Sequence, residues 1–256
     1  MNSALIGYTG FVGGNLVQQH AFQAKFNSKN FLEMKGQSYD EVVCAGVSAV
    51  KWLANKEPER DLAGIVALQE VLATVRAKRF VLISTVDVYP RLDGLDEAFD
   101  CRSLPNHAYG SHRLGFEEFC REHFQECHIV RLPGLFGAGL RKNVIFDLIN
   151  NNCLHMINAD SSFQFYYLAR LWSDIELILR NGLPLVNLST EPIFVRDIIE
   201  RFFPGAVVGQ EAGPELHYDI TTRHGSLWGS PGAYCYSRDV VLRDLGQFLA
   251  DIITGQ

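Results

Sequence analysis

The stretch that decides the fold is Ala4-Leu-Ile-Gly-Tyr-Thr-Gly-Phe-Val-Gly13, near the amino terminus. Its apolar beginning predicts a β-strand and its end predicts the start of a helix, with glycines at 7, 10 and 13 in between. Gly7 permits a tight turn, Gly10 lets a pyrophosphate approach the backbone, and Gly13 lets the helix pack closely on the sheet. We therefore predict a dinucleotide-binding turn, whose alternative is a glycine-rich turn without a ligand. The other residues predicted to contact the dinucleotide here are Thr9, Phe11 and Val12.

The rest of the chain alternates short apolar runs with segments of helical period. The runs predict strands over 4–7, 22–26, 41–46, 80–84, 128–132 and 185–188. The helical periods lie over 12–20, 58–76, 107–124 and 143–151. This alternation is typical of an α/β protein with a Rossmann-type, doubly wound and mostly parallel sheet. The interval from 26 to 41 is too short for a full strand and helix, so one crossover should be abbreviated.

Loop-forming residues are concentrated in two later segments, 134–170 and 190–236. We therefore predict a dinucleotide-binding Rossmann domain made of residues 1–135 and about 171–190. Residues 136–170 and 191–256 should form a small C-terminal substrate-binding lobe, with the alternative that its last helix packs on the main domain. Such a lobe belongs over the carboxyl ends of the strands, where open α/β sheets bind ligands.

Composition places the chain among ordinary soluble globular proteins. Of its 256 residues, 47% are hydrophobic and 20% are charged, and the net charge is −6. This balance shows no excess of basic residues of the kind that binds nucleic acid or an acidic membrane. No apolar run is long enough to span a membrane, and the amino terminus lacks the basic segment of a signal peptide. Six cysteines without a C-x-x-C pair predict reduced thiols, a cytoplasmic location and no metal site.

The end of the second strand, Asn27-Ser28-Lys29, bears on the choice of cofactor. An acidic residue here would bond the ribose 2′-hydroxyl of NAD, and none is present. The Ser hydroxyl and the Lys ammonium can instead receive the 2′-phosphate of NADP, while a plain polar turn is equally open. The sequence thus favours NADP only slightly over NAD. Ala45 and Gly46, at the end of the third strand, complete the predicted cofactor site.

Further motifs, taken with the glycine spacing, resemble the extended short-chain dehydrogenase/reductases, the NAD-dependent epimerase/dehydratase family. They are Val81-Leu-Ile-Ser-Thr-Val-Asp-Val-Tyr89, Tyr109-Gly-Ser-His-Arg113, Val130-Arg-Leu-Pro-Gly-Leu-Phe-Gly137 and Leu185-Val-Asn-Leu-Ser. The resemblance covers roughly residues 1–200. Two departures stand out: Arg113 replaces the Lys of the family's Tyr-x-x-x-Lys motif, and Arg170 stands where members usually carry Asp.

The resemblance implies that Tyr109 is the acid/base and that Thr85 orients the substrate. It also implies that the cation four residues after the tyrosine lowers its pKa and binds the nicotinamide ribose. A free tyrosine, with a pKa of about 10, is a poor base at neutral pH, and a nearby cation lowers an acid's pKa by roughly one to three units. Arg113 keeps that charge, on a wider group. Tyr109, Arg113 and Thr85 are therefore the predicted catalytic residues, the first two also contacting the cofactor.

The predicted substrate is a sugar that is linked to a nucleotide. Arg141-Lys142-Asn143 opens a helix, and two cations at a helix N-terminus suit a diphosphate, as the position of Asn143 in the resemblance also implies. The alternative is a solvated helix cap. Asp87 either faces the pocket or caps the next turn. The residues predicted to bind the substrate are Asp87, Pro133, Arg141, Lys142, Asn143 and Arg223.

These observations predict an NAD(P)-dependent oxidoreductase or epimerase acting on a sugar. The rival is a non-catalytic NAD(P)-binding sensor or scaffold of the same fold, favoured by the arginine in place of lysine. The expected partner is a small-molecule substrate, without nucleic acid or membrane. The sequence does not determine the oligomeric state, and a homodimer is one of the states it allows.

Overall fold

A computed structural model describes residues 2–230 and 232–254. The strands are β1 (Ser3–Ile6), β2 (Ala24–Phe26), β3 (Ser38–Cys44), β4 (Arg76–Thr85), β5 (Cys127–Leu132), β6 (Gly134–Phe136), β7 (Ser162–Phe163), β8 (Phe165–Tyr167), β9 (Leu185–Asn187) and β10 (Ile193–Phe194). The helices are α1 (Phe11–Gln19), α2 (Lys51–Lys56), α3 (Pro58–Leu72), α4 (Ala108–His123), α5 (Val144–Asn150), α6 (Leu171–Arg180), α7 (Val195–Phe202) and α8 (Arg238–Thr254).

Six strands form the main sheet, in the order β2-β1-β3-β4-β5-β9. The pairs β1–β2, β1–β3, β3–β4 and β4–β5 are parallel. The order of the strands reverses beside β1, so the crevice that binds ligands in doubly wound sheets lies at the carboxyl ends of β1 and β3. The predicted α/β, Rossmann-type fold is confirmed.

The sheet is built from apolar runs that are covered on both faces. All four residues of β1 are buried, as expected of a central parallel strand. One face of the sheet packs on α3 and α4, whose inward side chains recur at helical spacing. The core on this side contains Ala4, Ile6, Val42, Ile65, Leu68, Leu72, Phe80, Leu82, Phe116 and Ile129.

The crossover from β2 to β3 is abbreviated, as predicted. A single 3₁₀ turn, Phe31–Met34, replaces a helix, and its Met34 side chain is fully buried. The predicted helix over 58–76 ends earlier, at Leu72, because Arg76 already pairs with Ser38 as the first residue of β4. The predicted strand over 22–26 is likewise shorter, since β2 begins at Ala24.

The chain divides into two compact units. The first comprises residues 1–91, 98–132 and 169–186 and contains the main sheet. The second comprises 92–97, 133–168 and 187–256. In the second unit β6 pairs with β8 in parallel and β7 pairs with β10 in antiparallel, next to a core formed with α5, α7 and α8. The substrate-binding role of this part of the chain stays a prediction.

Several properties of the described residues bear on the class of protein. None of the helices within 2–230 and 232–254 is both long and apolar enough to cross a membrane. In the same residues, no group of three or more His, Cys, Asp or Glu side chains is arranged to hold a metal ion. All six cysteines lie in this part of the chain, and none forms a disulfide.

Candidate functional site

The glycine turn between β1 and α1 is shaped by close backbone contacts. Gly7 has a φ of +87°, and a Cβ atom there would lie 2.3 Å from the Ala45 carbonyl oxygen. A Cβ atom on Gly13 would lie 2.1 Å from the Gly7 carbonyl oxygen. Only glycine fits at either position, so α1 can begin directly against the end of the sheet.

The N-terminus of α1 is suited to a phosphate. Its N-cap is Gly10, no side chain caps it, and its first turn contains no acidic residue. The first N–H groups of a helix lack intrahelical partners and carry partial positive charge. A Cβ atom on Gly10 would meet only the Gly7 carbonyl oxygen, at 3.2 Å, and a Cβ atom on Gly46 would lie 2.7 Å from the Ile6 side chain. This cradle of small residues and open amides fits a dinucleotide pyrophosphate.

The end of β2 forms an ordered polar turn. Asn27 accepts a hydrogen bond from the Lys29 backbone N–H at 2.8 Å and donates one from its amide to the Tyr8 hydroxyl at 3.3 Å. The Asn30 side chain accepts the Asn27 backbone N–H at 2.8 Å. Ser28 and Lys29 are exposed at the surface of this turn. The preference for NADP over NAD stays a prediction.

Tyr109 lies in the first turn of α4, against the end of β4. The His107 ring is the N-cap and accepts the Gly110 N–H at 3.0 Å, and the Asn55 side chain accepts the Tyr109 N–H at 2.9 Å. A Cβ atom on Gly110 would lie 2.3 Å from the Asp87 carbonyl oxygen, so glycine permits this close approach. Tyr109 thereby lies close to the Thr85 side chain, which acts to lower the pKa of Tyr109. The structure brings these two predicted catalytic residues together.

Arg113 is held by partners other than the Tyr109 hydroxyl. Its two terminal nitrogens donate to the Asp61 carboxylate at 2.5 and 2.8 Å, and one of them also donates to the Ser48 carbonyl oxygen at 2.6 Å. The Arg113 and Asp61 side chains are only 5% and 7% exposed. The guanidinium stacks on the Tyr109 ring, with its central carbon 3.8 Å from the ring centroid. Arg113 therefore contacts the face of the ring while its donors serve an ion pair.

The net effect on the pKa of Tyr109 differs from the sequence-based expectation. Burial raises the pKa of Tyr109 above its ordinary value, and the lowering by the Arg113 charge does not outweigh it. Burial also acts to raise the pKa of Asp61, but hydrogen bonds from Arg113 and His112 exceed it and hold that pKa below its ordinary value. The Asp61 carboxylate compensates much of the Arg113 charge. The sequence-based expectation rests on the Arg113 cation alone, whereas burial of Tyr109 and the Asp61 counter-ion depend on the tertiary structure.

Two residues of α2 join the site without having been predicted. The Lys51 ammonium contacts the Asp87 carboxylate at 2.7 Å, and Asn55 caps the Tyr109 N–H as described. The Asp87 backbone N–H donates to the Thr85 hydroxyl oxygen at 3.1 Å, so Asp87 closes the turn and also binds a cation. The six-residue helix is too short for a clear hydrophobic period. The only available signal is the spacing of Lys51 and Asn55, which lie one helical turn apart.

A buried ion pair fixes the strand ends beside the site. Arg131 of β5 donates to both Glu117 oxygens, at 3.0 and 2.6 Å, and Ser84 donates to Glu117 at 2.5 Å. Burial acts to lower the pKa of Arg131, but the attraction of Glu117 exceeds it and raises that pKa. The Arg131 guanidinium also lies over the Tyr89 ring, 4.9 Å from its centroid. This pair joins β4, β5 and α4 and so stabilises the frame that carries Thr85.

Asn143, a predicted substrate residue, acts as a helix cap. Its side-chain oxygen accepts the N–H groups of Ile145 and Phe146 at 3.0 and 3.1 Å, and its amide donates to the Leu135 carbonyl oxygen at 2.8 Å. The capping alternative therefore describes this side chain, whose polar atoms are occupied within the protein.

The other predicted substrate residues of the second unit lie in loops or at strand ends. Arg141 and Lys142 are exposed before α5, Pro133 is buried after β5, and Arg223 is exposed. The Arg223 backbone N–H donates to the Glu97 carboxylate at 2.9 Å. The role of these residues toward a substrate stays a prediction.

The sheet order and the glycine turn define a Rossmann-type α/β protein. The chain belongs to the NAD dependent epimerase/dehydratase family, whose sequence model matches residues 23–157. The match begins after the glycine turn and includes the segments that carry Thr85, Tyr109 and Arg113. No curated protein matches the chain in sequence.

Solved structures of similar fold include several enzymes of nucleotide-sugar chemistry. UDP-N-acetylglucosamine 4-epimerase from Methanobrevibacter ruminantium, in complex with UDP-N-acetylmuramic acid, is 14% identical with a TM-score of 0.76, covering 100% of this chain and 99% of that one. dTDP-4-dehydrorhamnose reductase from Bacillus anthracis, with NADP, is 17% identical with a TM-score of 0.73 and 97% coverage of both chains. A double mutant of dTDP-glucose 4,6-dehydratase from Streptomyces venezuelae, with NAD, is 15% identical with a TM-score of 0.71 and 91% coverage of both. At these identities the likeness shows the fold.

Proposed function

We propose that this chain is an NAD(P)-dependent oxidoreductase or epimerase that acts on a nucleotide-linked sugar, with Tyr109 as its acid/base. The observation that carries the proposal is the position of Tyr109 beside Thr85 at the carboxyl end of β4, where the Thr85 side chain acts to lower the pKa of Tyr109. This pair belongs to the same compact unit as the glycine turn. Membership of the NAD dependent epimerase/dehydratase family supports the same reaction class.

Different residues of the chain would bind the cofactor and transfer the proton. Gly7, Gly10, Gly13 and the first turn of α1 would hold the pyrophosphate of the cofactor. When bound, the nicotinamide supplies or accepts a hydride at its C4 atom. During reduction of a keto group, the Tyr109 O–H bond breaks and its proton passes to the substrate carbonyl oxygen. The phenolate then takes up a proton from solvent. Thr85 can donate to the same carbonyl oxygen and hold it beside Tyr109.

A nucleotide-linked substrate is supported by two observations. Structures of similar fold include an epimerase in complex with UDP-N-acetylmuramic acid and two further enzymes named for dTDP-sugars. In this chain, Arg141 and Lys142 expose two cations in one loop, which suits a diphosphate.

A second function is favoured by the surroundings of Arg113. Because Asp61 and Ser48 occupy the terminal nitrogens of Arg113 and burial raises the pKa of Tyr109, the site also suits a non-catalytic NAD(P)-binding sensor or scaffold. Such a protein needs the glycine cradle but has no need of a proton donor.

The test separates cofactor binding from turnover. Binding of NADH and NADPH is measured by calorimetry, and turnover is measured with a panel of nucleotide-linked keto-sugars. Tyr109→Phe should abolish turnover and keep cofactor affinity, whereas Tyr39→Phe, which removes only the hydroxyl group of a buried side chain in β3, should change neither. Binding without turnover of any sugar in the panel would favour the sensor. Absence of binding would contradict both functions.

A further inference from the structure

Helix α4, which carries Tyr109, begins with a histidine in the position of its N-cap. Asp, Asn, Ser and Thr are the usual residues there, because their oxygen atoms accept backbone N–H groups of the first turn. In this chain the His107 Nδ1 atom accepts the Gly110 N–H at 3.0 Å. His107 is half-buried, and its ring centroid lies 6.2 Å from that of Tyr109. The cap of the helix is therefore a titratable group beside the proposed acid/base.

The hydrogen bond from Gly110 fixes the protonation state of the capping ring. A neutral imidazole has one nitrogen that accepts and one that donates, whereas both nitrogens of the protonated ring donate. Because His107 Nδ1 accepts the Gly110 N–H, the capped state requires a neutral ring with its proton on Nε2. A proton taken from solvent onto Nδ1 would direct one N–H group against another and break the cap.

The surroundings of Gly110 leave little room for its N–H to find another acceptor. Gly110 is buried, and a Cβ atom there would lie 2.3 Å from both the Asn106 Nδ2 atom and the Asp87 carbonyl oxygen. The Asn106 side chain donates to the carbonyl oxygens of Asp87 and Val88, each at 3.0 Å. It also accepts the His107 N–H at 2.7 Å, so the capping residue is anchored to the turn that follows β4.

The environment of His107 favours the neutral ring. Burial lowers the pKa of His107 below its ordinary value, and the Lys51 charge on α2 lowers it further. A contact with the residue's own backbone and the Asp87 charge act to raise this pKa, while Arg113, itself paired with Asp61 of α3, acts to lower it. The N-terminus of α4 carries partial positive charge, which also opposes a cation at the cap. The neutral, capping ring is therefore the form present in the folded protein at neutral pH.

We propose that His107 is a positioning residue for Tyr109, which holds the first turn of α4 in place when it is neutral and releases that turn when it is protonated. The inference deepens the proposed function and rests on it for the effect on turnover. Tyr109 follows the cap by two residues, and the Asn55 side chain accepts its backbone N–H at 2.9 Å. Loss of the cap would remove the neighbouring bond to Gly110, so Tyr109 would be held less firmly.

The first measurement uses the wild-type protein without substrate or cofactor. The tautomer of His107 is determined from long-range ¹H–¹⁵N NMR correlations of the imidazole, which are assigned by their absence in His107→Asn. We expect the proton on Nε2 at neutral pH. Hydrogen exchange of the Gly110 amide is then followed from about pH 7 to about pH 5, the range in which histidine titrates. After correction for the intrinsic exchange rate, its protection should fall about fivefold, the factor that a typical helix cap contributes.

Two matched variants separate the cap from other titrations. Asparagine offers an acceptor oxygen at the N-cap and does not titrate, so the protection of the Gly110 amide in His107→Asn should stay constant over the same range. His123→Asn makes the same change at an exposed histidine in the last turn of α4 and should keep the wild-type response. In turnover, the acid limb of the kcat profile should move to lower pH in His107→Asn and stay in place in His123→Asn.

Each outcome decides one of the two proposals. A proton on Nδ1 of neutral His107, or a pH response of the Gly110 amide that persists in His107→Asn, would overturn the role of His107 while the proposed function stands. An acid limb of kcat that does not move in His107→Asn would overturn the positioning of Tyr109. If the amide responds as expected but the wild-type protein turns over no nucleotide sugar, the proposed function fails and the capping role of His107 stands.

Discussion

Replacing Arg113 by methionine should destabilise the protein strongly, because it leaves a buried charge without its partner. The Asp61 side chain is 7% exposed and would lose both hydrogen bonds from the guanidinium. Removing one partner of a buried ion pair costs about 3–5 kcal/mol in the free energy of unfolding. The variant also loses the bond to the Ser48 carbonyl oxygen. We expect a loss in this range, measured by urea unfolding followed by far-UV circular dichroism.

A matched control is the exposed pair between Arg102 and Glu118, whose side chains are 55% and 35% exposed. Arg102→Met should cost no more than about 1 kcal/mol, since solvent screens an exposed pair. Arg113→Lys keeps the charge but not the planar guanidinium, so its loss in the free energy of unfolding should lie between those of Arg113→Met and Arg102→Met. Equal losses in Arg113→Met and Arg102→Met would refute the assignment of Arg113 to a buried ion pair.

The same pair predicts a dependence on pH. The pKa of Asp61 is lowered in the folded protein, so its contribution to stability is present above the unfolded pKa, which is about 3.9. That contribution is lost as the pH falls through the lowered value. The stability difference between the wild-type protein and Arg113→Met should therefore narrow on acidification. A difference that stays constant through this range would contradict the charge assignment.

Three further predictions concern other parts of the chain. Gly13→Ala should weaken NAD(P)H binding in calorimetry, because its Cβ would lie 2.1 Å from a backbone oxygen of the turn, whereas Gly14→Ala, with its nearest neighbour at 3.8 Å, should bind normally. Joint replacement of Arg141 and Lys142 by alanine should weaken the binding of a nucleotide sugar and leave the binding of NAD(P)H unchanged. An equal loss of affinity for both ligands would indicate general destabilisation of the protein. Cys153, the one exposed cysteine of the six, should react first with a thiol reagent in the folded protein, so rapid reaction of several thiols would contradict the described burial.

The fold could be predicted because its signals are local. The apolar run of β1, the glycines at 7 and 13 and the helix that follows lie within a few residues of each other, and each restricts the backbone directly. The abbreviated crossover after β2 was likewise readable from the length of chain between two strands. The predicted and observed bounds of helices and strands differ where pairing between strands sets them. For example, β4 begins at Arg76 because Arg76 pairs with Ser38.

The site was predictable only where residues of one motif act together. Thr85 and Tyr109 could be proposed from the sequence because each belongs to a recognisable motif. The partners Asp61 and Lys51 were not, since each is separated from its contact by dozens of residues and neither lies in a pattern of its own. Tertiary packing decides whether an arginine contacts a hydroxyl or a carboxylate, and it also decides how much burial opposes ionisation.

The two outer strands of the main sheet have a consequence for self-association. β2 and β9 have three residues each, while β3 and β4 in the interior have seven and ten. A sheet edge recruits another chain through a row of unpaired backbone groups, and a short edge with a charged side chain such as the exposed Lys25 offers few of them. The main sheet is therefore protected against growing from one copy into the next through its outer strands.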